Sequence, residues 1–255
     1  FGGIYSNHIA LEEAIRDARR RGAKAIFCLG DLGAFGPNPD RVFPLLREGG
    51  VITLAGNYDD SLARGLDDCQ CGYTDPRDNH FARISYRYTL EKTSAENKAW
   101  LARLPGEIRF ELCGRKVLLC HGSPRRRNEF LWESTTPDQF LEKLFRDHDC
   151  DVLLATHTGI KWRRRLESGK LFANVGVLGR PENDGTPLVG YAILDASPLE
   201  GLGVVFVPVS YDHHAMAAEM RAEGLPREFV ETIETGWWTT CLEALPAKER
   251  ARGKW

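Results

Sequence analysis

LGDLGAFGPNP at residues 29–39, AGNYDD at 55–60, LCHGSP at 119–124 and ATHTG at 155–159 follow one another down the chain, and each carries a side chain of a kind that ligates metals. An apolar run leads into each: AIFCLG (25–30), VITLAG (51–56), KVLLCHG (116–122) and DVLLATH (151–157). Short unbroken runs rich in Val, Ile and Leu read as strands buried on both faces. Asp31, Asn57, His121 and His157 therefore collect along one edge of a sheet, in the loops that carry function on such scaffolds. A lone His or a lone Gly-Asp is ordinarily a structural residue; four donors at four strand ends are much harder to explain that way.

The pattern continues on either side. Leu11, Ala14, Ile15 and Ala18 recur at helical spacing within 10–20, with charges opposite. A strand at 25–30, a helix at 39–48 with Pro39 near its start, and a strand at 51–56 make a β-α-β alternation. Thr93-x-x-Glu96 reads as a capping box for a helix running to about Leu104. EIRFELC and KVLLCHG then form a hairpin about Gly114, followed by a helix at 137–148, a strand at 151–157, a second hairpin around 167–169, and strands near 190–195 and 203–209. This order predicts an α/β fold, a four-layer αββα sandwich of two mixed sheets, as one domain over 1–210. Residues 61–92 are polar and aromatic-rich with no regular period; they read as an ordered surface loop or a cap over the Asn57 motif. Residues 211–255 read as a helical tail whose GWWTTCLEALP stretch packs on the core or on a second subunit, the basis for expecting a homo-oligomer.

The composition is that of an ordinary globular enzyme: 255 residues, 42% hydrophobic and 27% charged, with a net charge of −2. That charge gives no drive toward nucleic acid or an anionic membrane, and no apolar run approaches the roughly 18 residues that span a bilayer. A cytoplasmic protein with no membrane partner is the default expectation. The seven cysteines are odd in number and irregular in spacing, which argues against a secreted disulfide framework. Cys28, Cys113, Cys120 and Cys150 lie in or beside strand-like runs and are expected to pack as small apolar residues. Cys69-Gln-Cys71 lacks the two-residue spacer of common zinc knuckles.

The four motifs together resemble those of the calcineurin-like metallophosphoesterases, whose pattern in words is Asp-x-His, Gly-Asp, Gly-Asn-His-Asp/Glu, a lone His, and Gly-His-x-His. The resemblance implies the αββα core and a pair of metal ions sharing the Asp31 carboxylate. One ion's ligands map onto Asp31, Asn57, His121 and His157, all present. The other's map onto Gly3, Tyr5, Asp31 and Gly159, where a shared carboxylate and the Tyr5 phenol remain. Mixed N/O ligation suits a divalent or trivalent transition metal, Mn, Fe or Zn, over Ca or Mg. Tyr58 replaces the motif's His and is weighed as pocket wall or proton donor, with Asp59 holding its hydroxyl. Arg125, Arg126 and Arg180 are candidates to grip an anionic substrate bidentately, and Asn7, with Gly2, Gly3 and Ser6, to receive an anion at a helix start. The implied activity is hydrolysis of a phosphate ester, on a small phosphorylated molecule or nucleotide. A non-catalytic metal-binding sensor or scaffold, and a non-hydrolytic iron enzyme using Tyr5, are the alternatives.

Overall fold

The computed structural model describes residues 1–197 and 201–253. One sheet is built from β3 (Glu107–Leu112), β4 (Arg115–Cys120), β5 (Val152–Ala155), β6 (Trp162–Arg165) and β7 (Leu171–Asn174), in the order β3-β4-β5-β7-β6. Its central strands β4, β5 and β7 run parallel and the two edge strands antiparallel. The other layer holds the short parallel pair β1 (Phe27–Cys28) and β2 (Ile52–Thr53) and the hairpin of β8 (Val189–Ser197) with β9 (Gly201–Val209). Residues 1–4 run beside β1, with Leu29 N donating to Phe1 O and Ile4 N to Asp31 O.

Side-chain alternation along these strands defines the layers. Val117, Leu119, Val152, Leu154, Leu171 and Ala173 face one way and pack with Leu29, Leu54, Leu202 and Val204, forming the seam between sheets. Leu118, Cys120, Leu153, Ala155 and Phe172 face the other way, onto Leu141, Leu144 and Phe145 of helix α6 (Asp138–Asp147). Tyr191, Val207 and Val209 point outward from the hairpin into the cluster made with α1 (His8–Arg20) and α2 (Val42–Glu48). Helices outside and two layers of strands inside, one of them made of two separate two-stranded sheets, give the αββα sandwich.

Residues 61–92 differ from the irregular segment expected. They hold the end of α3 (Asn57–Arg64) and a 17-residue helix, α4 (Pro76–Lys92). Asp75 caps α4 by accepting from Arg77 N and Asp78 N, with Pro76 at the first helical position. The period is blurred because the buried face mixes Phe81, Ala82 and Tyr86 with Asp78, Ser85 and Thr89. Thr93 does not open the next helix: its hydroxyl donates to Thr89 O, and Ser94 caps α5 (Ala95–Leu101) through Asn97 N. Cys69 and Cys71 are joined in a disulfide. Cys113 is exposed in the β3–β4 turn at φ 51°, not packed, while Cys28, Cys120 and Cys150 are buried.

Residues 211–253 lie against the core. Met216 and Met220 of α7 (His213–Ala222) and Phe229 and Ile233 of α8 (Arg227–Thr235) join the cluster of α1 and α2. Glu219 accepts from Arg41 Nη1 with both oxygens at 2.8 Å and faces His8 Nε2 at 3.3 Å. Among the described residues, no helix is long and apolar enough to cross a membrane.

Phe172 is fully buried at the α6 seam, whereas Val205 on β9 is half exposed. Phe172→Ala is expected to cost about 3–5 kcal/mol in denaturant unfolding, and Val205→Ala no more than about 0.5 kcal/mol.

Candidate metal centre

Strand direction brings the donors together. Because β1 and β2 run parallel, as do β4 and β5, their carboxyl ends open on the same edge. Asp31 follows β1, Asn57 begins α3 just after β2, His121 succeeds the last residue of β4, and His157 lies two residues beyond β5. One ligand atom each from Asp31, His121 and His157 lie within 4.8 Å of one another. His121 Nε2 stands 3.1 Å from Asp31 Oδ2 and 3.2 Å from His157 Nδ1. All three residues are buried.

The tautomer of His121 follows from its other nitrogen. Nδ1 is 2.6 Å from the carbonyl of Leu29, which can only accept, so Nδ1 carries the proton and Nε2 presents a lone pair. Asn57 spends its amide N–H on Cys69 O at 2.8 Å, which leaves Oδ1 buried without a partner among the described residues. A buried acceptor without a donor is exceptional and calls for an explanation. A carboxylate, two imidazoles and this carboxamide oxygen make a donor set that fits one transition-metal ion. Asp31 and His157 also adopt left-handed backbone conformations, φ 59° and 74°. Such residues cost about 1–3 kcal/mol each and cluster at functional sites.

Electrostatics tie the group together. Burial works to lower the His121 pKa, but the Asp31 carboxylate outweighs it and raises the group above its ordinary value. Asp31, despite its own burial, is held below the usual carboxylate range, chiefly by His121. His157 is pushed down to about 3, first by burial and then by His121.

Asp59 has a different task from the one expected. Its Oδ2 accepts from Asp31 N at 2.7 Å and Gly56 N at 2.8 Å, and its Oδ1 from Leu32 N at 3.0 Å. Burial, then the nearby Asp31, push its pKa up to about 6. With the carboxylate given over to backbone N–H groups, the Tyr58 hydroxyl pairs instead with Ser85 Oγ at 2.8 Å, its ring against Tyr86. Tyr58 touches the centre through its backbone, N donating to Asp31 Oδ1 at 3.1 Å.

The other ligand set does not fit an ion. A Cβ on Gly3 would lie 2.5 Å from Tyr5 Cε1, and one on Gly159, at φ 79°, 2.8 Å from Trp238 Cη2. The Tyr5 ring packs edge-on against Phe35, and burial raises its phenol pKa, with Arg180 opposing and Asp31 assisting. Arg180 is buried in the same place, its Cζ 3.6 Å from the Trp238 ring centroid. Arg125 and Arg126 are exposed instead, Arg125 pairing with Glu129 at 2.9 Å. Asn7 caps α1, accepting from Ala10 N and donating to Gly179 O, so its side chain is committed to the fold. Nothing in the GWWTTCLEALP stretch signals that Trp238 meets Gly159 and Arg180.

Comparison with known proteins agrees with this fold. The sequence model of the calcineurin-like phosphoesterase superfamily domain matches residues 6–198. An uncharacterized protein of Methanocaldococcus jannaschii is 28% identical over 247 residues, covering 91% of this chain and 95% of that one. A metallophosphoesterase from Sphaerobacter thermophilus superposes with a TM-score of 0.68 at 25% identity, covering 92% of this chain and 98% of the other. A hypothetical protein from Pyrococcus horikoshii has the same fold, with a TM-score of 0.75 at 21% identity over 94% of this chain and 98% of its own.

Elemental analysis of protein purified without added metal is expected to find about one transition-metal ion per chain. Two equivalents surviving dialysis would contradict that count. Asp59→Asn turns an N–H donor toward the backbone N–H groups it must receive, and is expected to weaken metal retention about 10–100-fold. Acid should release the ion, because the raised His121 pKa lets protons compete for Nε2 at higher pH than for an ordinary imidazole.

Proposed function

The chain belongs to the calcineurin-like phosphoesterase superfamily, and on that premise we propose that it is a phosphoesterase working with one metal ion, Mn, Fe or Zn, on a small phosphorylated molecule or nucleotide. The observation that carries the reading is the convergence of Asp31, His121 and His157; the Asn57 carboxamide oxygen, next to the Tyr58 N–H that donates to Asp31, is buried without a partner among the described residues. An ion held there would supply positive charge against phosphoryl oxygens and lower the pKa of water, the requirement for hydrolysing an anionic ester near neutrality.

The chain's own residues do the rest. Leu29 O fixes the His121 ring, the Asp59 carboxylate fixes the loop bearing Asp31, and the buried surroundings keep bulk water from the donors. No imidazole stands in the motif position occupied by Tyr58, whose hydroxyl is spent on Ser85 and whose pKa burial drives well above its ordinary value. Leaving groups that need no proton are therefore preferred.

Aryl phosphate mono- and diesters are expected to be cleaved about 10²–10⁴-fold faster than alkyl ones, the usual worth of a general acid. Asp31→Ala and His157→Ala should abolish both turnover and metal retention. A wild-type protein that keeps its ion yet hydrolyses neither aryl ester would be a metal-binding module and not an enzyme of this class.

A further inference from the structure

Arg180 is a buried guanidinium, 5% exposed, that makes no hydrogen bond and no ion pair among the described residues. An isolated buried charge is strongly unfavourable unless something compensates it. Part of the compensation is aromatic: Trp238 at 3.6 Å, Phe35 at 5.0 Å and Tyr5 at 6.0 Å from Cζ. Rings acting through the cation's face leave its N–H donors, which lie in the guanidinium plane, free. Nε is buried with no acceptor among the described residues.

The clamp is held from outside the core. Trp238 Nε1 donates to Pro181 O at 2.6 Å, and Trp238 N donates to Asn183 Oδ1 at 2.7 Å. The ring fills the space a side chain at residue 159 would need, and Arg180 Nη2 is 3.7 Å from where that Cβ would stand. Tyr5 fills the space at Gly3. Arg180 therefore lies among the positions that, by the resemblance, should hold the second ion's ligands. On its tail side a cavity of about 10 Å³, lined by Phe35, Met216 and Phe229 among others, has room for about one water. A tetrahedral anion does not fit in that cavity.

We propose that Arg180 takes the place of the second ion: its in-plane N–H groups receive the phosphoryl oxygens of the substrate, and Trp238 from the C-terminal segment fixes it there. The inference rests on the functional reading above for the identity of the anion. Guanidinium is suited to this because its fork matches two oxygens of a phosphoryl group and cannot lose its charge. Unlike an ion it acidifies no water, so it contributes neutralisation and orientation.

The test is calorimetric titration of the metal-loaded full chain with inorganic phosphate, with metal counted in every sample. Arg180→Met is expected to keep one ion per chain, to bind phosphate at least tenfold more weakly than wild type, and to lose the rise in melting temperature that phosphate gives wild type. Arg180→Lys keeps the charge without the fork and should fall between the two. Phosphate affinity in Arg180→Met within twofold of wild type overturns the proposal. If that variant does not fold, Arg180→Lys decides, and affinity equal to or above wild type overturns it. Affinity is read without turnover, so loss of phosphate binding with Arg180 in a protein that hydrolyses nothing would support this inference while refuting the functional reading.

Discussion

The Asp59 carboxylate is the constraint on which the centre depends. It gathers three backbone N–H groups from two separate loops, at Gly56, Asp31 and Leu32. The two loops consequently touch: a Cβ on Gly30 would lie 2.1 Å from Gly56 N, and one on Gly56 2.1 Å from Asp31 Oδ1. Glycine is the one residue that permits this approach. The same three bonds hold Asp31 in its left-handed conformation, a state that persists only where its surroundings over-determine it. Parallel strands bring the loops to one edge; the carboxylate then sets their spacing at the scale a shared ion needs.

How far the sequence could be read follows from how local each signal is. Strand β4 announces itself because burial on both faces demands an unbroken apolar run, and His121 is found because it follows that run immediately. The layer order and the meeting of Asp31, His121 and His157 are legible for this reason. Helix α4 leaves no clear period in the sequence because its buried face carries Ser85 and Thr89, polar groups satisfied by hydroxyl bonds, among them Phe35 N to Ser85 Oγ across 50 residues of sequence. Asp59 was read through its neighbour in the motif, yet its bonding partners at Asp31 and Leu32 lie 28 and 27 residues away. Arg125 and Arg126 follow His121 by four and five residues, and both are exposed.

Gly3 and Gly159 by themselves would suggest a site simply lost. Unfilled loss leaves a cavity, and interiors close-pack. Here each missing side chain has a specific occupant: the ring of Tyr5, two residues along, and the ring of Trp238, from the far end of the chain. Arg180 is then stacked on the second of these. A charged residue enclosed by three aromatic rings and lacking an ion pair among the described residues is a costly way to fill space, where a leucine would pack without desolvating a charge. The substitutions are therefore better understood as one rearrangement than as separate losses.

The same economy of space explains the polarity of Asn57. A carboxamide can turn either end toward an ion, and only the oxygen can ligate. The segment just after α3 decides between them: Cys69 O accepts the amide N–H at 2.8 Å, with Cys71 Sγ at 3.5 Å, so the oxygen must face away from that loop. The Cys69–Cys71 link ties the loop into a closed ring around Gln70, whose own carbonyl receives Asn128 Nδ2 from the segment following His121. A C-x-C pair that is unpersuasive as a ligand set thus acts on the centre indirectly, by fixing the carbonyl that dictates which atom of Asn57 is left free.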